Sequence, residues 1–507
     1  MREKLGASFI VIVTIALSLA TFMQVLDTTI ANVSIPAISG DLAVSPNQGS
    51  WVITSFAASN AIAMPLTGWL ARRFGEVRLF IASTLLFALT SWMCGLADSF
   101  EMLVLFRVLQ GAAAAPMMPL SQSLLLSVYP DHKKGLALAF WGMTVMIAPI
   151  FGPLLGGYIT DNYTWPWIFY INIPIGIISA FTIWLLLKSS ETQIVKTAVD
   201  TIGLALLIIG VGSLQIMLDK GNDLDWFDSN LILSLSAIAL VTLSFFIVWE
   251  IYHPHPMVDL TLFKKRNFTI GTIALSIGYL VFMGGVVVYP LWLQTQMGYT
   301  AYWAGFVSAG VGIFGFILSP IIGQNLHKFD LRVIVSIGFF IFGTAYIMQS
   351  NFNTEADMMT IALPRIILGA GTAMYFVPLT TILLAGIDPT KNASAMGLVN
   401  FLRVLGGAVG TSISITLWDR RADLHHERLC ESVTPFSHIT NTAIENIGGQ
   451  SHQAYALLEQ MTNSQAITMS TVDIFWLSGI IMFCLIGVVW LAKPPFFTNK
   501  KPAVIID

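Results

Sequence analysis

Long apolar runs dominate this chain and limit what it can fold into. A helix needs about 20 mostly apolar residues to cross a bilayer. Fourteen stretches meet this requirement, near 9–33, 51–71, 79–97, 101–128, 135–160, 166–187, 200–218, 231–252, 268–293, 301–324, 333–350, 358–385, 394–418 and 472–492. Because only helices and closed barrels satisfy their own backbone hydrogen bonds in lipid, these runs predict an all-α polytopic membrane protein with 14 transmembrane helices.

Composition supports lipid as the solvent and excludes several classes of function. Of the 507 residues, 55% are hydrophobic and only 10% are charged, whereas ordinary globular domains carry about 25% charged residues. The net charge of −3 leaves no basic face for nucleic acid. Arg2 and Lys4 precede the first apolar run, but that run is too long for a signal peptide, and we interpret it as the first span.

The sequence carries no signature of an enzyme or of a cofactor site. No Walker motif occurs, and residues 310–315 match G-x-G-x-x-G only inside an apolar run with no preceding strand. His425, His426 and Cys430 lie close together in a polar stretch, 419–471, where we interpret them as a solvated surface rather than a metal site. We therefore expect neither catalysis nor a metal nor an organic cofactor.

Basic residues predict the orientation of the spans. With an even number of spans, 18 of the 25 Lys and Arg residues fall on the side that holds both termini, 4 on the other side and 3 inside spans. Since cytoplasmic loops carry the excess of positive charge, both termini are predicted to be cytoplasmic.

Two sequence matches indicate an internal repeat. Residues 106–111 (FRVLQG) resemble residues 364–369 (PRIILG) at an offset of 258, and residues 68–73 resemble residues 323–328 at an offset of 255. Repeats of this kind are common in transporters. The predicted organisation is a six-helix half at 1–190, two inserted helices at 191–260, and a second half at 261–507 with a periplasmic loop at about 419–471.

Asp27 is the only carboxylate placed well inside an apolar run. A charge there costs at least about 2.5 kcal/mol, so it is a functional hypothesis by default. The polar residues of the same run recur every three or four positions and share one helix face with it: Thr14, Ser18, Thr21, Gln24 and Thr28. We expect Asp27 to bind and release a proton, and a carboxylate there could also attract a cationic substrate. A permanent structural ion pair or a hydrogen-bonded helix cap is the alternative.

Three arginines also fall inside spans. Arg107 is either a partner of Asp27 in proton coupling or a structural residue that binds backbone carbonyls, whereas Arg365 and Arg403 are interpreted as structural.

The fifth span is dense in proline and glycine, with Pro149, Gly152, Pro153, Gly156 and Gly157 within nine consecutive positions. The prolines predict a kink, and the G-x-x-x-G spacing predicts close approach of another helix.

Several of these motifs resemble one family. Residues 26–33 (LDTTIANV), 107–111 and 148–157 are similar to motifs of the first, fourth and fifth helices of the fourteen-span drug:proton antiporters of the major facilitator superfamily. Residues 51–56 and 490–496 resemble the EmrB-type multidrug exporters in that branch. One departure is Arg72, where the broader superfamily usually has Asp.

The resemblance implies a proton-driven pump of the bacterial inner membrane that exports hydrophobic, drug-like molecules. It also implies an EmrA-like periplasmic adaptor and, through it, a TolC-like outer-membrane channel. Spans one, four, nine and twelve should line the centre, and aromatic and methionine side chains there suit varied apolar ligands. The expected substrate-binding residues are Gln24, Trp141, Met146, Tyr289, Tyr375, Phe376 and Asn400.

Two rival functions remain open on the residues alone. The first is a proton-coupled uptake symporter for a specific metabolite on the same fold. The second is a non-transporting membrane scaffold, which would have no need of a buried Asp27 and Arg107.

Overall fold

The computed structural model describes residues 2–44, 46–49, 51–130, 133–195, 200–254, 256–434, 437–447 and 452–496, and within these ranges the regular structure is entirely helical. The α-helices are α1 (Arg2–Asp41), α2 (Pro46–Gly49), α3 (Trp51–Ala63), α4 (Thr67–Phe74), α5 (Glu76–Gly95), α6 (Phe100–Ala114), α7 (Met117–Val128), α8 (Lys134–Asn162), α9 (Trp167–Tyr170), α10 (Asn172–Leu187), α11 (Thr201–Lys220), α12 (Asn230–Tyr252), α13 (Arg266–Thr295), α14 (Ala301–Ser308), α15 (Gly310–Asn325), α16 (Leu331–Gln349), α17 (Met358–Leu384), α18 (Asn392–Ser432), α19 (His438–Ile447) and α20 (His452–Val489).

Twelve segments of the described chain are helical, long and apolar enough to cross a membrane. The protein is therefore a multi-pass, all-α membrane protein. The length and apolar character of the helices do not confirm the predicted number of 14 spans. The segment of α3 and α4 and the segment of α8 are not among the twelve.

Polar residues at the ends of the apolar runs set where helices begin. Ser99 accepts a hydrogen bond from the Met102 N–H at the start of α6, and Asp357 does the same for the Thr360 N–H at the start of α17. Such caps satisfy backbone donors that have no partner inside the helix.

The helices pack around a centre formed by α1, α7, α8, α13, α17 and α18. Helix α1 packs along α8 and α10, while α13 packs along α18 and α17. Helices α7 and α8 in turn contact α18 and α17, which joins the first part of the chain to the last.

Helices α11 and α12 lie at the periphery of this arrangement. Helix α11 packs against α3, and α12 packs mainly against α11. In the most apolar 18-residue stretch of α12, only 17% is buried inside the protein, whereas the corresponding share for α17 is 72%. An apolar helix that the protein leaves uncovered must face lipid.

The predicted loop at 419–471 is mostly helical instead. Helix α18 continues to Ser432 and α20 begins at His452, so both extend well past their apolar parts. Residues 419–432 include many good helix formers and neither glycine nor proline, so nothing in this segment ends α18 at the membrane surface.

Candidate functional site

Asp27 forms an ion pair with Arg107 in the interior of the first part of the chain. Arg107 Nη1 donates to Asp27 Oδ2 at 2.6 Å, and both side chains are fully buried. Gln110 Nε2 and Asn172 Nδ2 donate to the other carboxylate oxygen at 3.1 and 2.8 Å. Three helices, α6, α10 and α1, therefore meet at one carboxylate.

The guanidinium of Arg107 is fixed by groups other than the carboxylate as well. Its Nε donates to the Val52 carbonyl at 2.9 Å, and Nη1 also donates to Gln110 Oε1 at 2.7 Å. Its central carbon lies 4.3 Å from the centroid of the Phe56 ring, a cation–π contact. Arg107 thus both binds a backbone carbonyl and pairs with Asp27, and its part in proton coupling stays a prediction.

Two glycines of the fifth-span motif bring α8 against α1 beside this ion pair. A Cβ on Gly152 would lie 2.6 Å from Thr29 Cβ, and one on Gly156 would lie 2.9 Å from Ile30 Cγ1. Gly157 has no atom within 4 Å of such a Cβ. Gly152 and Gly156 therefore permit the close approach that their spacing predicts, and Gly157 does not take part.

Arg365 occupies the position that the sequence repeat pairs with Arg107, but its surroundings differ. Its Nη2 donates to the Gly285 carbonyl at 2.7 Å, and its guanidinium lies 3.7 Å from the centroid of the Tyr289 ring. Gly285 is 258 residues after Asp27, which is the same offset as that between the two arginines. Within the part of the chain described, no carboxylate forms an ion pair with Arg365.

Arg403 lies where α18 meets α7, α8 and α17. Its guanidinium lies 5.4 Å from the Phe376 ring centroid and 5.0 Å from that of Tyr279, and Nη2 lies 3.0 Å from Met118 Sδ. Trp141 stacks on Phe376 with ring centroids 5.8 Å apart. We call Arg403, Trp141, Phe376, Tyr279 and Met118 the arginine box.

The arginine box is buried and electrically unbalanced. Arg403 is 2% exposed, and Nε has no hydrogen-bond partner among the described atoms. No described carboxylate forms an ion pair with it. One turn away on α18, Asn400 Nδ2 donates to Gln122 Oε1 of α7 at 2.6 Å. Arg403 is thus a buried cation with no described acidic partner.

A chain of hydroxyl groups connects the box to α1. Trp141 Nε1 donates to Ser121 Oγ at 2.8 Å, and Thr21 of α1 donates to the same oxygen at 3.0 Å. Thr21 lies on α1, the helix that carries Asp27, so hydrogen bonds through Thr21 and Ser121 link that helix to Trp141 of the box.

The structure brings together only some of the predicted substrate-binding residues. Trp141, Phe376 and Asn400 lie at or beside the box, and Tyr375 is buried next to Phe376. Tyr289 lies instead against Arg365. Gln24 is buried on α1, and its Oε1 has no described partner.

Three further predicted residues lie in α8, but their side chains are outside what the structure describes: Met146, Pro149 and Pro153.

Several residues of the site were not predicted from the sequence. Asn172 donates to Asp27 and also to Ser91 Oγ, the latter at 3.0 Å. Ser91 Oγ in turn donates to the Phe169 carbonyl. Asn172 is a polar residue among apolar ones at the start of α10, which is the signal that could have singled it out. Tyr279 and Met118 offer no such signal, because aromatic and methionine residues are common in spans.

The sequence model described as Major Facilitator Superfamily matches residues 17–411. The chain is 50% identical over 499 residues to the multidrug export protein EmrB of Escherichia coli (strain K12), with 98% of each chain covered. It is 49% identical over 490 residues to the fatty acid resistance protein FarB of Neisseria gonorrhoeae, covering 96% of this chain and 97% of the relative.

Solved structures agree on the fold. The proton:xylose symporter XylE aligns over 96% of both chains with a TM-score of 0.62. The identity is 14%, so this similarity concerns the arrangement of helices and not the substrate.

Proposed function

The chain belongs to the Major Facilitator Superfamily and, within it, to the EmrB-type multidrug exporters, and on that premise we propose that a proton bound by Asp27 drives its export cycle. The protein is a multidrug efflux pump, a membrane transporter rather than an enzyme.

The observation that carries the proposal is the fully buried ion pair of Asp27 and Arg107. A proton on Asp27 would cancel its charge and leave Arg107 as an unpaired buried cation. Breaking a buried pair costs about 3–5 kcal/mol. The protonated protein would therefore favour a different conformation. Binding and release of the proton would in this way shift the conformational equilibrium.

The surroundings of Asp27 also suit the protonated form. A protonated carboxyl group becomes a hydrogen-bond donor and needs an acceptor. Asn172 Oδ1 is buried beside it and has no partner among the described atoms. Rotation of the Asn172 amide would present this oxygen to the carboxyl proton.

In the proposed cycle, the two groups of helices rock against each other and open the centre to one side at a time. When the centre opens outward, Asp27 takes a proton and the substrate leaves. When it opens inward, Asp27 releases the proton and the next substrate binds. The hydroxyl chain through Thr21 and Ser121 supports coupling of α1 to the arginine box.

Asp27→Asn tests proton coupling. We expect it to abolish dye accumulation in inside-out membrane vesicles with an acidic lumen, because the amide cannot carry the proton. Asp473→Asn is the matched control, since Asp473 also pairs with an arginine but lies partly exposed, and it should transport normally. Asp27→Glu should recover part of the activity.

Gel filtration of each variant shows whether the loss is one of folding. Proton-coupled transport by folded Asp27→Asn at the rate of the unchanged protein would contradict the proposal.

We further propose that the substrates bound in the arginine box are apolar molecules that carry one negative charge. A buried guanidinium with no described acidic partner, surrounded by three rings, can bind a carboxylate and an apolar body together. The name of the relative FarB, a fatty acid resistance protein, refers to molecules of this chemistry.

Arg403→Gln tests this assignment. It should lower the efflux of 9-anthracenecarboxylate by about ten-fold, the effect of losing one charge-assisted hydrogen bond, and change the efflux of the neutral methyl ester much less. Arg365→Gln is the control, because Arg365 lies outside the box. If Arg403→Gln lowered the efflux of the acid and of the ester equally, Arg403 would not recognise the negative charge of the substrate.

For the topology, we propose 14 spans with both termini in the cytoplasm of a bacterium. Adding α8 and the segment of α3 and α4 to the twelve apolar segments gives this number. Pro65 lies in a turn of 3-10 helix, Met64–Leu66, that interrupts the second span. The distribution of basic residues supports the orientation, and a fluorescent protein fused after Lys493 should fold and fluoresce only if that end is cytoplasmic.

The partners proposed are an EmrA-like periplasmic adaptor and, through it, a TolC-like outer-membrane channel, with the inner membrane as location. The extensions of α18 and α20 past their apolar parts support this, because they form a helical pair long enough to project from the membrane.

A further inference from the structure

One cluster of metal-binding side chains lies far from the arginine box and the ion pair. His426 and Cys430 are one turn apart on the extension of α18, and Glu459 faces them from α20. One ligand atom of each lies within 4.8 Å of the ligand atoms of the other two. Glu459 is 33 residues beyond His426, so the sequence alone did not associate it with the two.

The distances in this cluster suit a tetrahedral metal ion. Cys430 Sγ lies 3.7 Å from His426 Nε2 and 3.8 Å from Nδ1, and Glu459 Oε1 lies 2.8 Å from Nε2. Around zinc, with bonds of about 2.3 Å to sulfur and 2.0 Å to nitrogen, the sulfur and nitrogen ligands are about 3.6 Å apart. For a metal to bind, the His–Glu separation has to widen and the His426 ring has to turn so that one nitrogen faces the ion. Glu459 is exposed enough to move.

The neighbouring groups leave these ligands available. His425 points to a different acid, with Nε2 at 2.8 Å from Asp473 Oδ2, and Arg421 binds the same carboxylate. The interactions described for the side chains of His426 and Cys430 are those within the cluster.

We propose that His426, Cys430 and Glu459 bind a zinc ion that joins the extension of α18 to that of α20. Nitrogen, sulfur and carboxylate ligands together favour zinc over magnesium or calcium. The sulfur binds as thiolate, so its proton is released to water when the metal binds. Three protein ligands leave the fourth position to a water molecule.

The test is metal binding by the full-length, tag-free protein in detergent. Cobalt added to the apo protein should give a thiolate-to-metal charge-transfer band and visible bands of a tetrahedral site, and zinc should displace it at one equivalent. His426→Gln and Cys430→Ser should each weaken zinc binding by more than about ten-fold, and Glu459→Gln by about ten-fold.

His425→Gln is the matched control, because its side chain is adjacent in sequence but binds Asp473, and it should bind zinc like the unchanged protein. Zinc should also protect Cys430 from alkylation by a maleimide. Absence of the charge-transfer band, or zinc binding that Cys430→Ser leaves unchanged, would overturn the proposal. Neither readout depends on transport.

Discussion

Gly152 and Gly156 show how single residues decide the geometry around Asp27. Each meets α1 within two or three positions of the carboxylate, at Thr29 and Ile30. Because interiors are closely packed, even one methyl group at such a contact must displace a helix. The spacing of α8 from α1 is therefore set at these two positions.

Gly152→Ala should lower the stability of the protein by about 1–3 kcal/mol, the usual cost of overpacking, and should reduce efflux by moving α1. Gly157→Ala, on the same helix, has open space at its Cβ; it should leave efflux unchanged and should not lower stability, since alanine favours the helix. Thermal unfolding in detergent and dye efflux measure the two effects. Equal melting temperatures for the two variants would show that the contact with Thr29 is not tight.

At the scale of elements, α18 and α20 form an antiparallel pair that continues beyond the apolar part of each helix. Trp418 Nε1 donates to Thr471 Oγ1 at 2.8 Å, and Arg421 forms an ion pair with Asp473 at 2.6 Å. The two helices are thus already held together where their polar extensions begin. The extensions can be removed without separating the spans below them.

Replacing residues 422–463 with a short Gly-Ser linker, which keeps the buried Thr468 and Ser470, should abolish the pull-down of a co-expressed EmrA-like adaptor while substrate binding by the purified protein persists. An adaptor can contact only parts of the chain outside the membrane, and the removed helices are the longest described part outside the apolar segments. A Gly-Ser replacement of residues 222–228, on the same predicted side, is the control and should retain the adaptor. If the shortened protein still pulled down the adaptor undiminished, the adaptor would not bind through the extensions of α18 and α20.

For the whole molecule, two close contacts join the first and last parts of the chain near its most basic end. A Cβ on Gly68 would lie 2.6 Å from Ser394 Cα, and one on Gly323 would lie 2.6 Å from the Gly135 carbonyl oxygen. Gly323 and Ser394 follow Gly68 and Gly135 by 255 and 259 residues. Each contact is thus the counterpart of the other under the sequence repeat, and both must separate if the centre is to open at this end.

Gly68→Leu should force this end apart and expose the centre to the cytoplasm. The readout is labelling of Leu124→Cys, a buried position on α7, by a membrane-impermeant maleimide in inside-out vesicles of a protein whose own cysteines are replaced. The labelling rate should rise by more than about ten-fold, a population shift of about 1.4 kcal/mol. Gly305→Leu, which meets nothing within 4 Å, should leave it unchanged; equal rates in both variants would contradict the prediction.

The sequence predicts the helical fold well because lipid restricts the choices. Apolar runs of sufficient length can only be helices, so the segments of α1, α13 and α17 follow from length and composition. The extension at 419–432 could not be predicted in the same way, because past the membrane a polar segment has no periodic burial to distinguish helix from loop.

The residues of the site could be predicted only where placing a single side chain in lipid has a large free-energy cost. Asp27 and Arg107 stand out because charge is expensive in lipid, and the structure pairs them. Residue type alone groups Tyr289 with Trp141, yet Tyr289 packs on Arg365. Neighbours across helices depend on the rotation and depth of each helix, which residue type and spacing do not give. Glu459 was missed for the same reason.

The contrast between Asp27 and Gly285 limits how much work each cycle can do. One half of the repeat offers Arg107 a carboxylate, whereas the other offers Arg365 a carbonyl, and a carbonyl cannot take up a proton at physiological pH. On the proposed mechanism, one proton moves per cycle. A unit charge gains about 2.3 kcal/mol per 100 mV, so each 100 mV of driving force sustains at most about a fifty-fold concentration ratio of a neutral substrate. A monoanionic substrate, as proposed for the arginine box, gains a further contribution from the membrane potential as it leaves.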